Sequence, residues 1–463
     1  MKRTNTISLL LLLATLVGAT DIVPTQHLQQ ANISCIITNA ETGQTIASYM
    51  PERCATPASI TKLLTTATAL ELLGDDFRFA TTVAYDGTFA NGTIDGNVYI
   101  IGAGDPSLGS KYVHDSYFLN RWCQQMKKLG IQRITGNIVA DASVYEWEAV
   151  PPKWTWEDIG NYYGAGVYGL SVYDNTLNIL MRSGAEGTQP TILNITPQIE
   201  GLQIFNHAKS NKTEMDSAYV YGMPYDNRRW IVGAVPAERG QFLLKGDIPN
   251  PPLCIAEHFT TRLRDFGIAV DGTYTDRNES RRPRTTLFTH YSEPLSELCR
   301  ITNFTSNNNY AEHIFRQLAT QPNTTATNNA AIETEKRFWQ TRGIDFRGVA
   351  IHDGSGLSPM NGYSAEFLNN ILLMMFRSQH YTTFLNSIPL AGHEGSVRQF
   401  LRSNKTAEVH AKSGSMSGVQ SYAGYIIKGA KTYTFCIIVN HFDTRKQARR
   451  EIETWLLDVI KTM

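Results

Sequence analysis

Residues 57–66 read PASITKLLTT and place a serine and a lysine three positions apart at the start of an otherwise apolar helical pattern. Thr56 is predicted to cap this helix, and Pro57 suits its first turn. Since positions three apart share a helix face, Ser59 and Lys62 are predicted to be neighbours. A serine hydroxyl is a poor nucleophile until a base takes its proton, and a lysine kept neutral by burial or by a second cation can be that base.

The S-x-x-K pattern alone is weak, because so short a motif arises about once or twice by chance in a chain of this length. An exposed lysine beside a capping serine is the competing interpretation. Two further patterns, each present once, favour the catalytic one. In the first, Ser306 and Asn308 (SNN) precede a predicted helix, where a hydroxyl and an amide can relay a proton and hold a peptide bond.

The second pattern, KSG, begins at Lys412 in a predicted strand. Lys412 and Ser413 can hold a terminal carboxylate, and Gly414 leaves room for a substrate backbone. The order S-x-x-K, S-x-N, K-S-G is the motif set of penicillin-binding proteins and serine β-lactamases. Together, the three patterns predict acyl transfer through a serine.

With these motifs, the chain resembles the class C low-molecular-mass penicillin-binding proteins, of the penicillin-binding-protein-4 type, over nearly all of the mature sequence. The wide separation of Ser59 from Ser306 differs from β-lactamases, in which the motifs lie much closer together. Three further stretches are similar to the family. Without that resemblance, each would be interpreted as a glycine-rich turn. They are residues 102–108 (GAGDPSL), 163–167 (YGAGV) leading to Asp174, and 353–358 (DGSGLS).

The sequence departs from the family pattern at three positions. Asn307 and Ser413 stand where the family often has aspartate and threonine, and both keep a hydrogen-bonding side chain. Pro359 stands where the family commonly has arginine. A basic contact to the substrate is therefore expected to be missing, and the preferred diamino acid stays open.

The resemblance implies a serine D,D-peptidase that cleaves D-alanyl-D-alanine ends and D-amino-acid cross-links of peptidoglycan, with no metal or cofactor. Ser59 would be the nucleophile and Lys62 its base. Ser306 would carry a proton to the leaving amine, and Asn308 would position the substrate and Lys62. β-Lactams are expected to acylate the same serine, because they mimic the D-Ala-D-Ala end.

The resemblance also implies a set of substrate-binding residues, which are Lys412, Ser413, Gly414, Ser415 and Asp174. Lys412 and Ser413 would bind the substrate carboxylate, and Asp174 would face the cleft. The oxyanion would rest on two backbone N–H groups, those of Ser415 and of the nucleophile.

Two other functions stay open. A serine β-lactamase would share the acylation and add rapid deacylation, but the length of the chain and its insertion argue against it. A non-catalytic wall-binding protein would keep the fold, but the intact motifs argue against it. A zincin is disfavoured because His393-Glu394 has no second histidine at the required spacing.

The predicted fold is α/β (α+β), a β-lactamase/transpeptidase-like domain with a central antiparallel sheet flanked by helices and split by inserted β-rich domains. Two strands, at residues 34–39 and 45–49, and the PASITKLLTT helix open the chain. Residues from about 77 to 276 read as short strands with one helix at 117–129. Four long helices are then predicted, at residues 293–303, 309–320, 330–341 and 366–378. Three consecutive strands, at 408–413, 422–428 and 432–440, and a last helix at 445–463 close the chain.

The 463 residues predict two or three domains. By resemblance to the family, two β-rich modules are inserted into the catalytic domain, one nested in the other. The predicted segments are a signal peptide at 1–19, a catalytic domain at 21–76 and 280–463, an inserted domain at 77–168 and 240–279, and a nested domain at 169–239.

The N-terminus predicts export. Lys2 and Arg3 precede an apolar run at residues 7–16, and small residues follow up to Ala19, where a signal peptidase would cut. We therefore expect a secreted or periplasmic protein with no transmembrane segment after cleavage. Its formal net charge of zero gives no indication of nucleic-acid binding.

The chain has six scattered cysteines and no C-x-x-C pair, so zinc and thioredoxin-like chemistry are disfavoured. Export permits disulfides, and Cys35 and Cys54 lie on either side of a predicted hairpin. A disulfide between them and buried free thiols both stay open.

Overall fold

The computed structural model describes residues 20–21, 28–214, 217–277, 280 and 282–463. The predicted signal peptide, residues 1–19, lies outside this part of the chain. The helices are α1 Thr61–Leu73, α2 Phe118–Lys128, α3 Pro251–Asp265, α4 Leu295–Thr305, α5 Asn308–Gln317, α6 Asn328–Gln340, α7 Ala365–Phe376, α8 Tyr381–Asn386 and α9 Arg445–Thr462.

The strands that precede α3 are short, and β2, with eight residues, is the longest of them. They are β1 Thr20–Asp21, β2 Asn32–Asn39, β3 Thr45–Tyr49, β4 Ala80–Tyr85, β5 Thr88–Ala90, β6 Thr93–Asp95, β7 Val98–Ile101, β8 Arg133–Ile134, β9 Ile138–Asp141, β10 Thr176–Arg182, β11 Thr191–Thr196, β12 Gln203–Asn206, β13 Lys209–Asn211, β14 Tyr219–Tyr221, β15 Arg228–Val232, β16 Ala234–Pro236 and β17 Phe242–Asp247. Those after α3 are β18 Ala269–Val270, β19 Tyr274–Thr275, β20 Thr285–Tyr291, β21 Glu408–Met416, β22 Val419–Lys428 and β23 Lys431–Asn440.

A central sheet joins the two ends of the chain. Its strand order is β1-β3-β2-β23-β22-β21, and every pair is antiparallel except β1 with β3. On one face, side chains of α1 and α4 to α8 form the larger core, with Leu64, Leu298 and Ile438 fully buried. On the other face, α9 packs Ile452 and Leu456 against the sheet. The predicted central antiparallel sheet between helices is confirmed.

The strands between α1 and α4 form further sheets. The larger ones have the orders β19-β9-β7-β4-β20 and β18-β8-β6-β5, and they share a core with α2 and α3. Three small sheets, β11-β10-β17, β12-β15-β14 and β13-β16, enclose a separate core. Strand β20 pairs with β4, although the predicted catalytic segment, 280–463, includes residues 285–291. The division into three domains stays a prediction.

Helix α3 was not predicted, since this part of the sequence was interpreted as strands. Its signals are local: the Asn250 side chain accepts a hydrogen bond from Leu253 N at 3.1 Å, and Pro251 begins the first turn. Asparagine caps and first-turn prolines are common helix starts. Among the described residues, no helix is long and apolar enough to cross a membrane.

All six cysteines are free thiols. Cys35 is buried in β2, and Cys54 is exposed, with its thiol 3.3 Å from the Gly348 carbonyl. The structure therefore has free thiols and not the Cys35–Cys54 disulfide. Burial raises the pKa of the Cys35 thiol to about 12, so this thiol is neutral at physiological pH.

The burial of α1 gives a direct test of this packing. Leu64 is fully buried, whereas Leu72 on the same helix is 41% exposed. Leu64→Ala should lower the free energy of unfolding by about 2–5 kcal/mol, because it leaves a cavity. Leu72→Ala, the matched control, should change it by less than about 0.5 kcal/mol. Urea denaturation measures both, and equal losses would contradict the described packing of α1.

Candidate active site

Ser59 lies in a single 3₁₀ turn, Ala58–Ile60, directly before α1. The prediction that Thr56 caps the helix is wrong: its hydroxyl donates to the Pro359 carbonyl at 3.3 Å, and α1 begins at Thr61. Ala58 has φ of 51°, a left-handed conformation that is costly for a residue other than glycine. This turn presents the half-buried hydroxyl of Ser59 to Lys62.

Lys62 is fully buried, and its ammonium nitrogen has three oxygen partners. Nζ lies 2.9 Å from Ser59 Oγ, 2.7 Å from Asn308 Oδ1 and 2.6 Å from the Ser355 carbonyl. Burial lowers the pKa of Lys62 to about 7, and two buried carboxylates nearby oppose this shift. A large fraction of Lys62 is therefore neutral near pH 7 and able to accept a proton from Ser59.

The loop at residues 353–358 is shaped by the buried carboxylate of Asp353. Its oxygens accept hydrogen bonds from Gly356 N at 2.8 Å, Ser358 N at 2.6 Å and Asn361 Nδ2 at 2.7 Å. Trp154 Nε1 also donates to this carboxylate, at 2.8 Å. The four donors compensate the carboxylate for the loss of water.

Glu312, on α5, holds the same loop from the other side. Its carboxylate accepts from Gly354 N at 3.2 Å and from Ser355 N at 2.7 Å. The carbonyl of Ser355 is the one that accepts from Lys62. Burial, together with the charge of Asp353, raises the pKa of Glu312 to about 7.

Ser306 and Asn308 lie at the junction of α4 and α5. Ser306 ends α4 with φ of 55°, and Asn307 caps α5 by accepting from Tyr310 N at 3.1 Å. These two turns direct Asn308 toward Lys62 of α1 and Ser306 toward Lys412 of β21. The Asn308 amide is fixed at both ends, because its Oδ1 accepts from Lys62 and its Nδ2 donates to the Tyr163 carbonyl at 2.8 Å.

Lys412 links the edge of the sheet to Ser306. Its buried Nζ lies 2.8 Å from Ser306 Oγ and 2.7 Å from the Ser413 carbonyl. Burial and the charge of Lys62 hold the pKa of Lys412 well below its usual range. A carboxylate bound beside Lys412 would favour its charged form.

Strand β21 is the edge of the central sheet, and Gly414 faces Ser59 across a narrow gap. A Cβ at position 414 would lie 2.9 Å from Ser59 N and 2.6 Å from the Pro57 carbonyl, so only glycine fits. The Ala411 N–H points away from β22 and donates a hydrogen bond to the Pro389 carbonyl at 3.0 Å. Because strand groups alternate with a period of two, the backbone groups at positions 413 and 415 also point outward.

Ser413 and Ser415 therefore lie on the open edge beside the nucleophile. The Ser413 hydroxyl is 3.0 Å from the hydroxyl of Ser396, and Ser415 is exposed. Asp174 lines a cavity of about 130 Å³ that also includes Ser306 and Asn308.

Asp174 also has a partner of its own within this arrangement. Its carboxylate accepts from the Ser110 hydroxyl at 2.5 Å, and burial raises the pKa of Asp174. The structure thus brings every predicted site residue to one region, with Asp174 beside the Ser306 side of it.

Sequence reasoning missed the residues that support this region. Glu312 and Asp353 act through backbone N–H groups, and Ser355 acts through its carbonyl, so no side-chain motif marks them. The available signal was the glycine-rich pattern of residues 353–358, which is similar to the family but by itself predicts only a turn. Among the described residues, no cluster of three or more histidine, cysteine, aspartate or glutamate side chains is placed to bind a metal ion.

Comparison with known proteins agrees with this geometry. The D-alanyl-D-alanine carboxypeptidase DacB of Haemophilus influenzae is 25% identical over 91% of this chain and 88% of its own. Penicillin-sensitive carboxypeptidase A of Dictyostelium discoideum is 27% identical over 80% of this chain and 74% of its own. The crystal structure of penicillin binding protein 4 from H. influenzae matches with a TM-score of 0.78 and 26% identity, covering 91% of this chain and 93% of that one.

A family model covers almost the whole sequence. The model of the D-Ala-D-Ala carboxypeptidase 3 (S13) family matches residues 19–459. The match confirms the resemblance found from the three motifs, and the relatives confirm the mixed fold. The chain belongs to the D-Ala-D-Ala carboxypeptidase 3 (S13) family and is a serine-type D,D-peptidase.

Proposed function

We propose that this D,D-peptidase acts on peptidoglycan peptides through an acyl intermediate on Ser59. Neutral Lys62 takes the proton from Ser59 Oγ, which attacks the carbonyl carbon on the N-terminal side of the scissile D-amino-acid bond. The amine leaves as its bond to that carbon breaks. Water then attacks the acyl-serine, releases the shortened peptide and restores Ser59.

The observation that carries this proposal is a pair of lysine–serine contacts, Lys62 with Ser59 and Lys412 with Ser306. Lys62 touches both Ser59 and Asn308, while Lys412 touches Ser306. The Ser306 hydroxyl, bonded to an amine whose pKa is lowered, can pass a proton to the leaving amine. We assign this transfer to Ser306 and the positioning of Lys62 to Asn308.

The developing oxyanion needs donors that are in place before the reaction. We assign this role to the backbone N–H groups of Ser59 and Ser415. The close approach of Gly414 to Ser59 and the outward direction of the groups at positions 413 and 415 support this assignment. An extended substrate can then lie along β21 as an added strand.

Lys412 and Ser413 are assigned to the terminal carboxylate of the substrate. A carboxylate near Lys412 would find a cation and a hydroxyl on the same strand. Asp174 is assigned to the substrate side chain, from its place in the cavity shared with Ser306 and Asn308. The substitution of Pro359 for the family's arginine leaves the preferred diamino acid open.

The compartment follows from the substrate. Peptidoglycan lies outside the cytoplasm, so we place the protein in the periplasm or the secreted fraction, after removal of a signal peptide at residues 1–19. β-Lactams are proposed as inhibitors that acylate Ser59, which the name of the penicillin-sensitive relative in D. discoideum supports. The extended cleft along β21 suits both free peptide ends and cross-links.

Intact mass spectrometry with benzylpenicillin tests the nucleophile. The wild-type protein should gain one penicilloyl mass that persists, because the acyl-serine is released slowly. Ser59→Ala should gain none, while Ser403→Ala, which changes an exposed serine outside the site, should be acylated like wild type. Rapid loss of the adduct with turnover of penicillin would indicate a β-lactamase. An unmodified wild-type protein with intact penicillin would indicate a non-catalytic wall-binding protein.

The pH dependence of acylation tests the base. Lys62 must be neutral to act, and its pKa is about 7, so the acylation rate should rise between pH 5.5 and 8.5 with a midpoint near 7. Glu312→Gln removes a carboxyl group whose ionised form raises the pKa of Lys62, so this midpoint should move to lower pH. The maximal rate should fall by about 10-fold to 100-fold, because the 353–358 loop loses its support.

Glu335→Gln is the matched control for that experiment. Glu335 is also buried, and burial raises its pKa to about 8, above the midpoint expected for Lys62. The carboxylates whose charges act on Lys62 are Asp353 and Glu312. The partner of Glu335 is the Thr68 hydroxyl and not the 353–358 loop. The midpoint should therefore stay in place. A flat profile in the wild type, or equal midpoints in wild type and Glu312→Gln, would refute the role of Lys62 described above.

A further inference from the structure

A second cavity, of about 340 Å³, lies where the inserted sheets meet the helical part of the chain. It is bounded by the end of β9 and the residues that follow, by the α5–α6 connection and by the start of α3. Junctions of this kind are common places for ligand binding. Neither the proposed mechanism nor the sequence motifs use this cavity.

An aromatic pair forms its rim. Trp147 is 71% exposed, and its ring stacks on Tyr225 with centroids 3.7 Å apart and planes 7° from parallel. Tyr225 is fixed by its hydroxyl, which donates to the Trp147 carbonyl at 3.3 Å, and by an edge contact with buried Tyr168 at 5.5 Å. The pair is thus a rigid apolar plane that is open to solvent, and such planes commonly belong to interaction sites.

Carboxylates line the interior, and each has a partner. Asp141 pairs with Arg284 at 2.6 Å, and Glu146 pairs with Arg316 at 2.9 Å. Asp276 accepts from the side chain of Asn250 at 2.7 Å. Because two of these three carboxylates are paired with arginines and the third accepts from an amide, the cavity does not offer the set of free carboxylates that a cation would need. Its polar oxygens do not suit a purely apolar ligand.

The lining therefore fits a neutral ligand that has one apolar face and several hydroxyl groups. A pyranose ring has this chemistry, since its C–H face stacks on aromatic rings and its hydroxyls donate to carboxylates and carbonyls. The only such rings in the proposed substrate are those of the glycan strand that carries the peptides.

The cavity is also coupled in space to the reaction site. Glu146 reaches Arg316 on α5, the helix that begins at Asn308. These positions are eight residues apart, which is about 12 Å along a helix. A glycan ring at the cavity and a peptide at Ser59 can thus belong to one substrate molecule.

We propose that the cavity rimmed by Trp147 and Tyr225 binds a saccharide ring of the glycan strand to which the cleaved peptide is attached. This inference rests on the proposed action on peptidoglycan. It gives the inserted modules a part in substrate binding that is separate from the chemistry at Ser59.

Calorimetric titration of the mature protein with chitotetraose, a peptide-free oligomer of N-acetylglucosamine, tests the site. Wild type should bind it saturably, and Trp147→Ala should weaken binding by at least about tenfold. Trp156→Ala is the matched control, because Trp156 is 66% exposed but stacks on Tyr221 outside the cavity. Its affinity should equal that of wild type.

Ser143→Phe gives an independent variant in case Trp147→Ala does not fold. Ser143 is an exposed residue of the lining, so a phenyl group there should fill the cavity and abolish binding. No saturable binding by wild type, equal losses in both tryptophan variants, or unchanged binding in Ser143→Phe would overturn the inference. Wild-type acylation by benzylpenicillin, measured in parallel, reports separately on the proposed function.

Discussion

The burial of one amine, that of Lys62, is the constraint on which the site depends. Water would keep this group charged, whereas the packed helices around α1 lower its pKa to about 7. The same burial removes solvent as a hydrogen-bond partner, so oxygens from Ser59, Asn308 and Ser355 must replace it. Hydrogen bonds of this one nitrogen thus connect the turn before α1, the start of α5 and the loop at residues 353–358.

Sequence patterns predicted the parts of this arrangement that depend on the identity and spacing of side chains. The S-x-x-K, S-x-N and K-S-G motifs identified residues that the fold brings to one region, and alternating apolar residues identified β2, β3 and β21 to β23. Helix periodicity identified α4 to α7 and α9 to within a few residues. These signals are local, so they can be found in one sequence.

Other features depend on contacts between distant parts of the chain. Glu312 and Asp353 bind backbone N–H groups of a loop, and neither its course nor its distance from Lys62 follows from local pattern. Thr56 is a typical capping residue, but the Pro359 carbonyl takes its hydroxyl and the helix starts later. The pairing of β20 with β4 joins positions about 200 apart in the sequence and has no local signal.

The pairing of β2 with β23, which aligns Asn32 with Asn440, has a consequence for folding. A ribosome makes β2 first and β23 almost last, so the central sheet has no complete form during most of synthesis. The sheets between α1 and α4 contain their own partners and cores and can assemble earlier. Gly414 of β21 comes to lie beside Ser59 only when the final strands have been made, so the site stays incomplete until synthesis is nearly finished.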